Sequence, residues 1–324
     1  MPETVHVQDP LIDFAPPCQT TPFDIIRQIK NDLERLLDRM HTEVLFAIRI
    51  LRLCKAIQRV CHLDENAVLG TLFLEHTGRY SVNHPVNTAL ICELVSKTLG
   101  FPLPKRFSLL AASLTMNISM VSLQDTLFFQ KEPLTPSQKE EIYRHPEKGV
   151  EKLRRYGVKD KIWLDAVHQH HKFLDGSGYP EDVQIHAIAD AARILSIADI
   201  FCAKISNRGY RLGLLPNTGL RELFLVERNQ HVDLEMVTQL IKVVGIYPPG
   251  TLVRLINGEL AVVTHRGEKA HQPLVQVVAS PKGIPLTEPV LRDCSFKKYG
   301  VKETLSSTSL KSKINPYRLW GYEK

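Results

Sequence analysis

The densest run of chemically capable side chains is His168-Gln169-His170-His171-Lys172-Phe173-Leu174-Asp175-Gly176-Ser177-Gly178-Tyr179-Pro180. Two adjacent imidazoles, His170 and His171, end a predicted helix just before a glycine-rich turn. Nitrogen donors held by a rigid loop are natural ligands for a divalent transition metal. A lone histidine is more often a satisfied core or surface residue, but these do not stand alone. His84 and His145 sit beside expected helix breaks, and Asp199 lies within the apolar run from Ala189 to Ile205. A carboxylate buried there is costly without a partner. A metal would supply one.

The elements that must position these residues read as helices. Residues 1–20 contain Pro10, Pro16 and Pro17 and show no sustained period, so they are expected to be irregular. Thr21-Pro22-Phe23-Asp24 combines a capping threonine, a proline at the first helical position and an acid at the third. Neither proline nor glycine follows until after Ala67, and Ile26, Ile29, Leu33, Leu36, Met40 and Val44 recur every three or four residues. This predicts one long helix or two in tandem, its apolar stripe packing on later helices of the chain or pairing with a second copy.

Further helices are predicted over 84–99, from the capping box Thr135-Pro136-Ser137-Gln138 to a break at His145-Pro146, over 162–172, over 188–206, and from Asp233 to Gly245. Past Pro248-Pro249 the period changes. Thr251 to Ile256 and Glu259 to Thr264 are joined by Asn257-Gly258, a strong hairpin signal, and Pro273 to Ala279 offers a third strand. The expected organisation is an irregular start (1–20), an N-terminal helical region (21–78), an all-α helical domain (79–247), a small β appendage of a hairpin or three strands (248–295) and a basic tail (296–324).

The chain has 324 residues, 44% hydrophobic and 23% charged, the profile of a globular protein. Its six cysteines form no C-x-x-C pair, which argues against a zinc ribbon, a redox motif or a disulfide framework and predicts reduced thiols in a cytoplasm. Met1 to Pro17 does not read as a signal peptide. The longest uncharged stretch, Phe107 to Leu123, is too short and polar for a membrane span. Of the formal charge of +6, much sits after Phe296, yet no nucleic-acid motif accompanies it, so a solvated tail is expected.

On these residues the chain resembles the HD-GYP domain family. The family's His-His-Glu-x-x-Asp-Gly-x-Gly-Tyr-Pro signature is matched by His170 to Pro180, including Asp175, Gly176, Gly178, Tyr179 and Pro180, at every position except the glutamate, which is Lys172. Similar to the family, too, are His84 at a helix start, His145 before Pro146, Ala198-Asp199 in a helix, Arg208-Gly209-Tyr210-Arg211, and the segment from Tyr247 to Val253. The match runs from about residue 80 to 295. It implies an all-α HD-type fold and a bacterial signalling role. Family members are metal-dependent phosphodiesterases that hydrolyse cyclic di-GMP, using two or three metal ions that activate a water and offset phosphate charge.

The chain departs from the pattern where the family has His-Asp-Ile-Gly-Lys, because Met116-Asn117-Ile118-Ser119-Met120 stands there. A neutral amide cannot bridge two cations as a carboxylate can, and a thioether is a poor ligand for a hard metal. Tyr80 stands where three-metal members have another acid. The ligands that remain are His84, His145, His170, His171 and Asp199. The resemblance then implies at most one divalent ion, iron or manganese, and a degenerate domain that binds cyclic di-GMP or a protein while hydrolysing weakly or not at all. Arg208 and Arg211 would face the ligand's phosphates, or else form a surface pair complementing a helix end. The Gly-Tyr-Pro loop would dock a protein, such as a GGDEF domain. Two alternatives remain: an active phosphodiesterase with non-standard ligands, and a helical interaction scaffold.

Overall fold

The computed structural model describes residues 20–74, 78–209, 212–227, 232–306, 309–310 and 314–322. The stretch expected to be irregular lies outside them except for Thr20. The first capping box forms as predicted: Thr21 Oγ1 accepts from Asp24 N at 3.2 Å while Thr21 N donates to Asp24 Oδ2 at 3.3 Å. It opens α1 (Pro22–Asp38). The one long helix, or two in tandem, expected here is instead three, because α2 (Phe46–Leu63) and α3 (Glu65–Leu74) follow. Local side-chain bonds compete with the helix at both breaks. Thr42 Oγ1 donates to Arg39 O, Leu45 N donates to Glu43 Oε1, and Asp64 Oδ1 accepts from Ala67 N. The stripe of Ile26, Ile29, Leu33 and Leu36 is buried in the chain's own core.

Eight helices continue the layer: α4 (Tyr80–Thr98), α5 (Leu103–Thr115), α6 (Val121–Phe129), α7 (Pro136–Arg155), α8 (Lys161–Gln169), α9 (Asp190–Ile205), α10 (Pro216–Glu227) and α11 (Leu234–Val244). A single apolar core runs from Ile25 to Val244, so the N-terminal helices share it with the rest rather than forming a unit of their own. Two predicted boundaries do not occur. His84 sits in the second turn of α4, which starts at Tyr80, and α7 runs through His145-Pro146. Proline at 146 leaves the Ile142 carbonyl without its helical N–H. The ring Nδ1 of His145 takes that carbonyl at 2.5 Å, which lets the helix continue.

Beyond α11, β1 (Leu252–Leu255) and β2 (Leu260–His265) form the predicted hairpin, with Leu252 opposite Val262 and Gly258 at φ +89° in the turn. The sheet is larger than expected. With β3 (Leu274–Ala279), β4 (Pro285–Asp293) and β5 (Val301–Leu305) it has five antiparallel strands in the order β4-β3-β2-β1-β5. The region read as a solvated tail thus contributes an edge strand and α12 (Pro316–Leu319). Here Tyr317 OH donates to Asp24 at 2.7 Å, Tyr322 OH to Asp64 at 2.9 Å, and the Trp320 indole lies so close to Gly70 that a Cβ there would meet it at 2.7 Å. Among the described residues no helix is long and apolar enough to cross a membrane.

Candidate metal centre

Helices α7 and α8 bring three histidines together at one buried spot. His145 projects from the middle of α7, His170 caps the C-terminus of α8, and His171 follows it. One nitrogen from each lies within 4.8 Å of the others. His145 is fully buried, and His170 is 1% exposed. The Nδ1 of His145 bonds Ile142 O, and that of His170 bonds Val167 O at 2.8 Å. A carbonyl only accepts, so each Nδ1 carries the proton and each Nε2 presents a lone pair. The two Nε2 atoms stand 3.3 Å apart, an arrangement that repels unless a cation lies between or beside them.

Burial also keeps these rings neutral. It lowers His145 to about 3. Burial pushes His170 down, and it pushes His171 well below the usual imidazole range with help from His170. Neutral imidazoles need lose no proton to take a metal.

Opposite them, His84 and Asp199 form a buried pair, Nε2 to Oδ1 at 2.6 Å. Burial alone would raise the Asp199 carboxyl, but its hydrogen bond with His84 outweighs it and holds it below the usual carboxylate range. The other ring nitrogen of His84, Nδ1, is buried with no hydrogen-bond partner among the described residues. Tyr80 stacks on the His84 ring at 5.0 Å and 11°. Arg208 in turn lies over Tyr80, its guanidinium 4.7 Å from the ring centre and its Nη2 donating to the phenol oxygen at 3.1 Å. Arg208 is therefore engaged by Tyr80, a partner that spacing alone does not reveal. Arg211 lies outside the described residues.

Met116 and Asn117 start the turn after α5, both buried. Asn117 Oδ1 has no hydrogen-bond partner among the described residues. The turn is tied to the histidines, since Ser119 Oγ donates to His145 O at 2.8 Å. Lys172 serves the next loop: its ammonium donates to Gly176 O at 2.9 Å. Phe173 N to Ser177 O at 3.1 Å and Tyr179 N to His171 O at 3.0 Å complete a closed loop. Gly178 is required there, at φ +79°, because a Cβ would fall 2.0 Å from His171 O. Asp175 accepts from Ser177 N and Oγ at 3.0 and 2.6 Å. The Tyr179 ring packs 4.9 Å from His171 and 4.9 Å from Tyr143, whose hydroxyl donates to Glu181.

Three neutral nitrogens in reach of each other, with the Asp199 carboxylate close enough to act on them, form a donor set that could hold a divalent transition ion. Residues 68–236 match the HD domain family, just over half of the 324. The chain is 28% identical over 228 residues to a cyclic di-GMP phosphodiesterase of Pseudomonas aeruginosa, covering 70% of this chain and 55% of that protein. It is 21% identical over 246 residues to the cyclic di-GMP phosphodiesterase PdeB of Borreliella burgdorferi, covering 75% and 64%. It thus spans between about half and two thirds of the length of these relatives. A solved HDG"Y"P protein from Bdellovibrio bacteriovorus shares the fold at a TM-score of 0.58 and 16% identity, over 68% of this chain and 71% of that one. The chain belongs to the HD domain family, within its HD-GYP branch.

Proposed function

We propose that this domain binds cyclic di-GMP beside a single histidine-held metal, acts in signalling by that binding, and hydrolyses the ligand poorly or not at all. One observation carries the reading: Met116 and Asn117 stand in the segment that aligns with the family's histidine and bridging aspartate, and Asn117 Oδ1 is a buried amide oxygen with no hydrogen-bond partner among the described residues. A divalent ion held by His145, His170 and His171 would offset charge on a phosphate oxygen. Asp199, bonded to His84, is the single carboxylate among the candidate ligands read from the sequence, where a paired-metal site calls for a bridging one. Arg208 is held against Tyr80, which stacks on His84, and would offer a planar fork to a phosphate.

Calorimetry at fixed salt, with one equivalent of Mn²⁺, tests the binding. Cyclic di-GMP should bind the parent, and Arg208→Ala should bind it about tenfold or more weakly, the loss expected for a charge-assisted hydrogen bond. No binding by the parent at about 1 mM would defeat this reading. A second reading, that the Gly-Tyr-Pro loop docks a protein such as a GGDEF domain, is favoured by that loop's closed hydrogen bonding beneath the exposed residues Asp175 and Ser177.

A further inference from the structure

Away from the histidines, a cavity of about 530 Å³ opens between the segment after α1, the Met116–Met120 turn and the last turns of α7. Lys148, Lys152 and Arg155 line it, spaced four and three residues apart so that they share one face of α7. His41 and Ser119 complete the wall, and Glu151 is the one carboxylate on it. Lys148 and Lys152 make no ion pair among the described residues, and Arg155 reaches Glu151 only at 4.0 Å, both groups largely in water. Such a pair neutralises little. Lys152 is half-buried, and its ammonium has one hydrogen bond, to Ile118 O at 3.3 Å. Burial lowers its pKa, with no carboxylate to oppose the effect.

Three cations that converge on a concave wall repel each other and are poorly compensated by one exposed acid. We propose that this cavity binds a phosphate-bearing anion of at least two negative charges. The volume falls within the range of small-molecule sites, large enough for a nucleotide. Charge-assisted bonds from two ammonium groups and a guanidinium suit phosphate oxygens. The site is separate from the histidines but adjoins them, because Ser119 in its wall donates to the His145 carbonyl. It stands whether or not the histidines hold a metal.

The test uses the full chain, freed of metal, at constant ionic strength. Inorganic pyrophosphate is titrated by calorimetry, followed by ATP without magnesium. Saturable binding of one pyrophosphate per chain is expected, weakened about tenfold or more by Lys152→Gln, which keeps a donor for Ile118 O, and clearly weakened by Arg155→Gln. Glu151→Gln should tighten it. Equal affinities for the two probes mean that phosphate alone is recognised, and tighter ATP means a nucleotide. Arg155 is exposed, so its variant does not threaten the fold. The proposal fails if no saturable binding occurs at about 1 mM. It also fails if neither basic-residue variant weakens binding, or if His171→Ala abolishes binding that Lys152→Gln leaves intact.

Discussion

Replacing Asp199 by asparagine removes one negative charge from a site that is 8% exposed and leaves a side chain of the same shape. The parent bond to His84 is short, 2.6 Å, and its imidazole is 2% exposed. A charge-assisted hydrogen bond contributes about 1.5–3 kcal/mol net, and breaking a buried pair by removing one partner can cost about 3–5 kcal/mol. The amide still offers an oxygen to Nε2, so a loss of about 2 kcal/mol is expected, or about 4 °C in Tm for a domain of this size. The pH dependence distinguishes an ionised Asp199 from a neutral one. A carboxyl held below its ordinary pKa binds fewer protons folded than unfolded, so its contribution is complete above about pH 4 and is lost as the pH falls through the folded value. Urea unfolding of metal-free parent and variant should therefore show a constant gap from pH 7.5 to 5. A variant as stable as the parent would refute the pairing, and so would a gap that closes between pH 7 and 5.

Elemental analysis after saturation with Fe²⁺ or Mn²⁺ should give no more than one ion per chain, and two or more stoichiometric ions would contradict the donor count. Metal-free protein should lose stability on acidification below about pH 6.5. His145, lowered to about 3, takes up its proton only on unfolding in that window, so its contribution is complete above 6.5 and falls by about 1.4 kcal/mol per pH unit below it; urea midpoints at pH 7.5, 6.5 and 5.5 measure this, and a flat profile would refute it. Lys172→Glu cannot donate to Gly176 O, so amide exchange at Ser177 and Tyr179 should quicken about tenfold, the equivalent of roughly 1–2 kcal/mol. Unchanged exchange would mean that Lys172 does not close the loop.

The helices were legible where a local signal and the tertiary fold agree. Both Thr-Pro capping boxes and the Asp233 cap appear where the sequence puts them, and Gly245 ends α11. The break expected at His145-Pro146 fails because proline is compatible with a helix when another group takes the freed carbonyl, as His145 does, and the helix expected to start at His84 begins at Tyr80. Strand β4 was missed because Pro285, Pro289 and an exposed face hide the alternation, and an edge strand tolerates both. The last residues read as a tail because their anchors, Tyr317, Trp320 and Tyr322, contact Phe23 some 300 residues earlier, which no local period encodes. At the site, His145, His170 and His171 meet in one group and His84 pairs with Asp199. The roles of Lys172 and Arg208 depend on Gly176 O and Tyr80, contacts visible only once the chain is folded.

The central claim is that cyclic di-GMP binds here without efficient hydrolysis, and single-turnover chromatography on one metal-defined preparation tests it most directly. With protein in excess over ligand and one equivalent of Mn²⁺ or Fe²⁺, the bound cyclic dinucleotide should remain intact, near the rate of a protein-free control. Met116→His with Asn117→Asp and Lys172→Glu should raise turnover above that of the parent. Rapid conversion to the linear dinucleotide by the unaltered chain would contradict the account.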